Sequence, residues 1–446
     1  MFRVIVVLLG QLDGGLVENV EPDAGVEVQS STDAGVEVQL AADAGVEQQI
    51  VADAGVLRRE TQVIGERAVD VRRVAGSAQI IGREELERLE TNDINRVLQQ
   101  VPGAYVREEE GFGNRPNIGF RGVNSDRSSK VTLMEDGVLI APSPYSAPQA
   151  YFFPAMTRMV GVDVFKGPAA IRFGPNTIGG ALNLRTREIP IGLQGDLDVA
   201  LGNYGYGKGH GVISWGDEQF GVLLEGVRWG STGFKQLPGG GDTGFTRNEF
   251  MLKARAATDP SARLRTGFEL KLAYGDERSN ESYIGIADVD FRDDPYQRYP
   301  ASQRDLFTGG RTQLQLTNLT ALTEGLEVRT TAYRFDFTRR WARFNGFRKG
   351  PTPFNALALD VAADEPFRAV LRGGDSVGLD QSVMISDANR PHVSQGVQTT
   401  VRWKVGDEAL SNELEVGLRF HHDEARRIDD SIGYQMVSGT LVPDSL

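Results

Sequence analysis

The sequence contains no cysteine in 446 residues. That excludes a disulfide framework, thiolate metal sites and a cysteine nucleophile. It has four histidines, His210, His392, His421 and His422. The last two are neighbours in a stretch with strand periodicity, so their rings point to opposite faces and cannot share one metal ion. All four are read as surface or rim residues. No run of about 20 apolar residues occurs, so membrane-spanning helices are excluded. A transmembrane β-barrel is not excluded, because its strands alternate lipid-facing and lumen-facing residues and look as polar as a soluble chain. Positive charge is in deficit, with a net charge of −13, which argues against a nucleic-acid partner. Residues 239–241 are glycines without the Lys-Ser/Thr of a phosphate loop. The acidic run Glu108, Glu109, Glu110 and the acids Asp423, Glu424, Asp429 and Asp430 read as solvated charges. No catalytic constellation stands out, so the chain is read as a non-enzyme that needs no cofactor and holds no metal of its own.

What is present is glycine, 53 residues of it, with 21 Phe and 11 Tyr. Residues 1–15 hold one arginine and a short apolar run, and are read as the remnant of a secretory signal. Asp-Ala-Gly-Val recurs at ten-residue intervals from Asp23, Asp33, Asp43 and Asp53. Such a segment has too little apolar surface to offset its ordering entropy. Residues 16–59 are therefore read as a flexible spacer. Glu60, Thr61, Gln62, Val63 and Ile64 follow, ending at Gly65, a segment suited to adding as a strand to a partner's sheet edge.

From 82 to 101 the pattern predicts one helix. Leu86, Leu89, Ile94, Val97, Leu98 and Val101 form its apolar face, and Pro102-Gly103 stop it. Short β-branched runs and glycine turns come next: Asn117-Ile-Gly-Phe-Arg-Gly122, Val131-Thr-Leu-Met-Glu-Asp-Gly-Val138, Gly161-Val-Asp-Val-Phe-Lys-Gly-Pro168, and the stretch from Phe173 through Gly179-Gly-Ala-Leu-Asn-Leu184 to Arg187.

After 190 the rhythm becomes strict alternation. Phe268, Leu270, Leu272 and Tyr274 oppose Glu269 and Lys271; Leu414, Val416, Leu418 and Phe420 oppose Glu413, Glu415, Arg419 and His421. About nine two-faced strands are predicted, near 195–204, 206–215, 219–230, 247–258, 263–275, 310–322, 326–340, 396–405 and 412–424. Links at 216–218, 259–262, 323–325 and 406–411 are short. Links at 231–246, 276–309 and 341–395 are long. Short turns on one rim and long loops on the other are the layout of an outer-membrane barrel.

The order of motifs from 117 to 187 resembles the plug domain of TonB-dependent outer-membrane receptors, and the loop Glu281-Ser-Tyr-Ile-Gly-Ile-Ala-Asp-Val-Asp-Phe291 resembles the ferric dicitrate branch. The resemblance implies an α+β plug domain at 66–190 followed by an antiparallel transmembrane β-barrel from 191 to 446. Barrels of this kind have about 22 strands, so about nine strands imply an incomplete N-terminal part of a barrel with two open edges. It implies a location in the outer membrane of a Gram-negative bacterium, in contact with its lipid. It implies import of a ferric chelate, such as ferric citrate or another siderophore, driven by TonB with the ExbB–ExbD complex through the box at 60–65. Haem, cobalamin, a nickel chelate or an oligosaccharide are alternative cargoes; a passive barrel or adhesin is the alternative class.

An anionic, oxygen-rich chelate calls for guanidinium groups and other donors. Plug candidates are Asn124, Arg127, Ser128, Lys130, Tyr145 and Gln149. Loop and upper-strand candidates are Arg298, Arg304, Arg339 and Arg340. Arg121 and Arg172 are read as residues that pair plug with barrel.

Overall fold

A computed structural model describes residues 2–8, 76–351, 365–406 and 411–445. The spacer at 16–59 and the segment at 60–65 lie outside the described residues. Strand β1 (Phe2–Leu8) comes first in the chain. The plug then begins with β2 (Ser77–Ile81), helix α1 (Arg83–Leu89) and helix α2 (Ile94–Leu98).

The single helix expected at 82–101 is therefore two. Glu90 turns left-handed at φ 43° and ends α1. Asp93 caps α2 by accepting from the Asn95 N–H at 2.8 Å. Thr91, Asn92 and Asp93 bring short polar side chains that compete with helical hydrogen bonding. Most of the apolar face survives the break: Leu86, Ile94, Val97, Leu98 and Val101 are buried, whereas Leu89, at the end of α1, is exposed.

The other plug strands are β3 (Ala104–Arg107), β4 (Asn117–Phe120), β5 (Thr132–Glu135), β6 (Val138–Leu139), β7 (Met159–Lys166) and β8 (Ala181–Thr186). They make a mixed sheet in the order β2-β7-β8-β5-β6, in which β5 and β8 are parallel, plus the antiparallel pair β3-β4. Two motif glycines are fixed by close approach. A Cβ at Gly119 would sit 2.4 Å from the Val123 carbonyl, and Gly180 holds φ +114° with the Phe165 carbonyl 2.7 Å from where a Cβ would be. The apolar core joins both helices to the sheet and includes Tyr333 and Phe335 from the barrel wall. At roughly 1.5–3 kcal/mol per buried large apolar side chain, this core is the main source of plug stability.

The wall is an antiparallel meander: β9 (Gln194–Leu201), β10 (Gly207–Gly216), β11 (Phe220–Ser231), β12 (Phe245–Ala257), β13 (Arg265–Ser279), β14 (Leu306–Thr323), β15 (Leu326–Phe347), β16 (Val383–Gly406) and β17 (Ser411–Ala425). These correspond to the nine expected strands. Several run further toward the long loops than the sequence predicts. There β15 and β16 continue as a paired ladder from Arg339↔Arg390 to Phe347↔Val383, where Asn389, Arg390 and Pro391 break the apolar alternation. Beyond β17, β18 (Ile428–Val437) pairs with the same end of β16, and β19 (Thr440–Pro443) turns back on it. The sheet is open at both ends, as expected, but the strand before β9 at one end is β1, which pairs with it in parallel from Phe2↔Gly195 to Leu8↔Leu201.

Alternation sorts the side chains. Outward residues such as Ile213, Trp215, Leu224, Phe250, Phe268, Leu272, Leu314, Trp403, Leu418 and Phe420 are large, apolar and exposed, whereas the inward Lys253, Lys271, Glu225, Glu249 and Arg311 are buried against the plug. An apolar outside around a charged inside is the inverse of a water-soluble sheet and fits a lipid-facing wall. The long loops carry their own core: Ile284, Tyr299, Ala301, Phe344, Phe347, Val370, Leu371, Tyr434, Met436 and Leu441 pack together, with helices α3 (Asp288–Asp293) and α4 (Glu365–Leu371) beside them.

Candidate ligand-binding site

Two kinds of charge meet where plug and wall touch. Midway along the wall they are matched. Lys271 donates to Glu135 at 2.5 Å and to Asp136 at 2.7 Å, Lys253 lies 3.6 Å from Asp136, and Arg158 donates to Glu249 at 2.5 Å and lies 3.7 Å from Glu225. Burial alone would raise the Glu135 and Asp136 carboxyls, but the surrounding lysines and arginines outweigh it and hold both well below the usual carboxylate range.

Toward the long loops the balance changes. Arg127 and Ser128 are consecutive non-glycine residues with positive φ, 47° and 54°. Such backbone persists only when its surroundings fix it. Here the Asn117 side-chain oxygen accepts from the Arg127 N–H at 2.8 Å, and the Ser128 hydroxyl donates to the Pro116 carbonyl at 2.9 Å while accepting from the Ile118 N–H. The turn aims the Arg127 guanidinium at Tyr151 and Trp341, with ring distances of 5.5 and 5.4 Å. Glu109 accepts from one of its nitrogens at 2.5 Å, and its Nη1 is buried without a partner.

Arg339 enters from the wall, 2% exposed, and stacks on Tyr151 at 3.8 Å. Among the described residues it makes no ion pair, and its Nε and Nη1 have no hydrogen-bond partner. Trp341 Nε1 and His392 Nε2 are likewise buried and unpartnered. Arg343 lies over Trp341 and Tyr283, at 4.9 and 4.4 Å. The rings hold the cations in place by their faces and leave guanidinium edges as donors.

Loop 280–305 borders this region, with the Tyr283 ring 5.6 Å from that of Trp341. Glu281 lies 3.3 Å from Arg115 of the plug. Asp305 accepts from the Phe344 N–H at 2.8 Å and from the Ser282 hydroxyl. Burial pushes both carboxyls up to about 7, more than the nearby arginines lower them.

The sequence candidates divide accordingly. Arg127 and Arg339 come together. Arg340, one residue on, points to the opposite face, where it is exposed and paired with Asp387. Arg298 is committed to its own loop, donating to Ser302 Oγ and O at 2.8 Å and to the Asn280 carbonyl. Arg304 is exposed and lies over Tyr434 at 4.5 Å. Ser128 is spent on its turn. Asn124 and Lys130 are exposed, with Asn124 accepting from the Asp126 N–H. Gln149 is half-buried. Tyr145 is exposed, stacks on His421 at 4.8 Å and donates its N–H to Asp423.

Of the pairing candidates, Arg172 bonds Glu415 of the wall. Arg121 makes no described ion pair; its guanidinium lies against Gly167 of the plug itself, and it too has positive φ, 55°.

Several residues read as rim charges do otherwise. Glu110 is buried and accepts from the Phe112 and Arg115 N–H groups. Glu109 partners Arg127. The side chains of His421 and Asp423 are buried and bonded to each other at 2.6 Å. His392 is buried and 2.9 Å from Ser143 of the plug, and His210 is buried against Glu225. Tyr151, Trp341, Arg343 and His392 were absent from the candidates. Thr338-Arg-Arg-Trp-Ala-Arg343 carried the signal for two of them: one more turn of alternation puts 339, 341 and 343 on one face.

Residues 70–181 match the TonB-dependent receptor plug domain. A stretch of 144 residues is 31% identical to the vitamin B12 transporter BtuB of Vibrio vulnificus, covering 32% of this chain and 22% of that protein. The fold is similar to the ferric citrate transporter FecA in its unliganded form, with a TM-score of 0.64 and 21% identity, covering 86% of this chain and 53% of FecA. It is also similar to BauA, the ferric preacinetobactin receptor of Acinetobacter baumannii, with a TM-score of 0.53 and 12% identity, covering 82% and 49%. The chain thus spans about half the length of these solved receptors. Its fold and apolar outer face place it in the outer membrane. Residues 70–181 are a TonB-dependent receptor plug domain, seated against an antiparallel wall with the fold of that family's outer-membrane barrel.

Proposed function

We propose that the chain acts as part of a receptor that binds an anionic iron chelate, ferric citrate or a similar siderophore, between plug and long loops, and imports it with energy from TonB and the ExbB–ExbD complex. The observation that carries this is the pair Arg127 and Arg339. Buried cations are ordinarily matched with acids, and the same plug–wall contact matches them midway along the wall. Near the long loops, unpaired donors converge from plug and wall with Glu109 as the acid bonded to Arg127. Carboxylate oxygens of a chelate are suited to those donors. A neutral oligosaccharide has no need of two guanidinium groups. The aromatic faces of Tyr151 and Trp341 are already used by arginines, which favours recognition by charge over recognition by stacking of an aromatic cargo.

Coupling through residues 60–64 is the second half of the reading. A partner strand pairs with backbone, and proline removes an N–H and fixes φ. In the intact receptor, Val63→Pro or Ile64→Pro should abolish accumulation of labelled iron(III) citrate while surface binding persists, and Val63→Ala should be mild. Full accumulation by the proline variants would remove this segment as the coupling site. Competition by excess haem or cobalamin, but not by citrate chelates, would overturn the choice of cargo.

A further inference from the structure

We propose that His392 is a cargo contact and that its ring relays cargo binding to the plug; this rests on the reading of Arg127 and Arg339 as the cargo site. His392 is 5% exposed and lies on the inward face of β16, opposite Phe337 of β15. Arg339 is two residues along from Phe337, so His392 and Arg339 are diagonal neighbours, about 7–8 Å apart on the same face. His392 Nε2 is buried and has no partner among the described residues. Nδ1 is 2.9 Å from the hydroxyl of Ser143, and that hydroxyl is 3.3 Å from the Glu424 carbonyl. Ser143 belongs to the plug, His392 and Glu424 to the wall.

The hydroxyl has one hydrogen and two acceptors within reach. If it donates to Glu424, it accepts from Nδ1–H, and Nε2 carries a lone pair. If it donates to Nδ1, Nε2 carries the hydrogen. The charged groups around the ring decide between these. Arg339, Arg390 and Arg427 are the cations acting on it, Asp423 is the acid, and Phe337 packs on its face. With three cations and one acid acting on the ring, a lone pair at the unpartnered Nε2 is favoured over an N–H there. Without cargo the ring therefore holds Nδ1–H, and Ser143 stays bonded to Glu424.

An anionic cargo reverses the preference, because its oxygens accept from Nε2–H. The ring remains neutral: Nδ1 gives up a proton and Nε2 takes one, with water as the carrier and no net uptake. Ser143 must then donate to Nδ1 and release Glu424. One of the bonds tying plug segment 143–151 to the wall is lost. The same segment reaches the cargo site at its other end, where the Ala150 N–H donates to the Arg127 carbonyl at 2.8 Å.

The test is nitrogen NMR of histidine-labelled full chain in lipid, with gallium(III) citrate as a diamagnetic probe. With four histidines in the sequence, His392→Gln assigns the signal. Nε2 should be unprotonated without the probe and protonated with it. In Ser143→Ala the resting preference should weaken, so both tautomers appear before the probe is added. His392→Ala should weaken gallium citrate binding about tenfold, the effect of one hydrogen bond to a charged group. An unchanged tautomer at saturating probe would overturn the relay even if Arg339→Met abolishes binding, in which case the site reading stands alone. Unimpaired binding by Arg339→Met would overturn the site reading and the relay together.

Discussion

The middle of the plug–wall contact and its end near the long loops are built from the same residue types to different effect. In the middle, Lys271, Lys253 and Arg158 each face carboxylates within 4 Å. Near the loops, Arg339 faces none among the described residues; the rings of Tyr151 and Trp341 hold its guanidinium by the face, and its Nε and Nη1 have no partner. A buried ion pair with both partners present contributes little net stability, but removing one partner strands the other. A buried cation without a partner is already stranded. Substitution should therefore hurt stability in the first region and hurt binding in the second.

The largest effect expected is from Lys271→Met. Lys271 is 1% exposed and bonded to both Glu135 and Asp136. Methionine fills much of its volume but leaves the two acids short of a cation. The loss should be about 3–5 kcal/mol, seen as a lower denaturant midpoint for the plug. A midpoint unchanged from wild type would mean that Lys253, Arg158 and Arg311 suffice, and that the matched region is redundant.

Arg339→Met is the same chemical change in the other region and should have the opposite profile. Stability should stay level or rise, because an unpaired buried charge is removed. Affinity for iron(III) citrate should fall by about 1.5–3 kcal/mol, the range for charged hydrogen bonds. If this variant melts as early as Lys271→Met, the contrast between the regions is wrong and Arg339 is a structural cation.

These two sites also mark what the sequence revealed. Alternation in the wall was legible because lipid outside and charge inside enforce a period of two; Phe268 through Tyr274 against Lys271 is an instance. The plug was legible through glycine positions such as Gly119 and Gly180, which close contacts impose. The break at Glu90 was not, because one left-handed residue and an Asp93 cap expose only Leu89 of the apolar face and leave its other residues buried. Arg127 and Arg339 could be named as types suited to an anion, yet Arg298 and Arg340 looked the same. What separates them is the three-dimensional supply of acceptors: Asp387 for Arg340, the Ser302 and Asn280 oxygens for Arg298, and for Arg339 no carboxylate among the described residues. His392 was missed for the same reason, since its plug partner lies 249 positions away in the chain.

pH acts at the loops through two further carboxyls. The carboxyls of Glu281 and Asp305 are raised from about 4.5 and about 3.8 in the unfolded chain to about 7 in the folded one. The folded loop thus holds protons that the unfolded loop releases. Its stability is greatest below the unfolded values and declines as pH rises through about 7, by up to about 1.4 kcal/mol per pH unit per group. Amide exchange in 280–305, corrected for its intrinsic pH dependence, should be slower at pH 5 than at pH 8. Faster exchange at pH 5 would reverse the sign and show the two carboxylates to be stabilising as anions.

Arg340→Ala should do least, and it sharpens the comparison most cheaply. Arg340 is the immediate neighbour of Arg339, so the two share a strand and local backbone, and their partners on β16, Asn389 and Arg390, are themselves neighbours. Alternation sends them to opposite faces: the Arg340 side chain is 66% exposed and bonded to Asp387. Exposed pairs of this kind contribute at most about 1 kcal/mol and are weakened by salt. Alanine at 340 should change the unfolding free energy by less than about 0.5 kcal/mol and leave iron(III) citrate affinity within about twofold. Equal loss of affinity from Arg339→Met and Arg340→Ala would mean that the inward row is not what cargo reads. The positive charge of this strand end would then act as a whole, through long-range attraction, and that loss would shrink in high salt where a direct contact by Arg339 would persist.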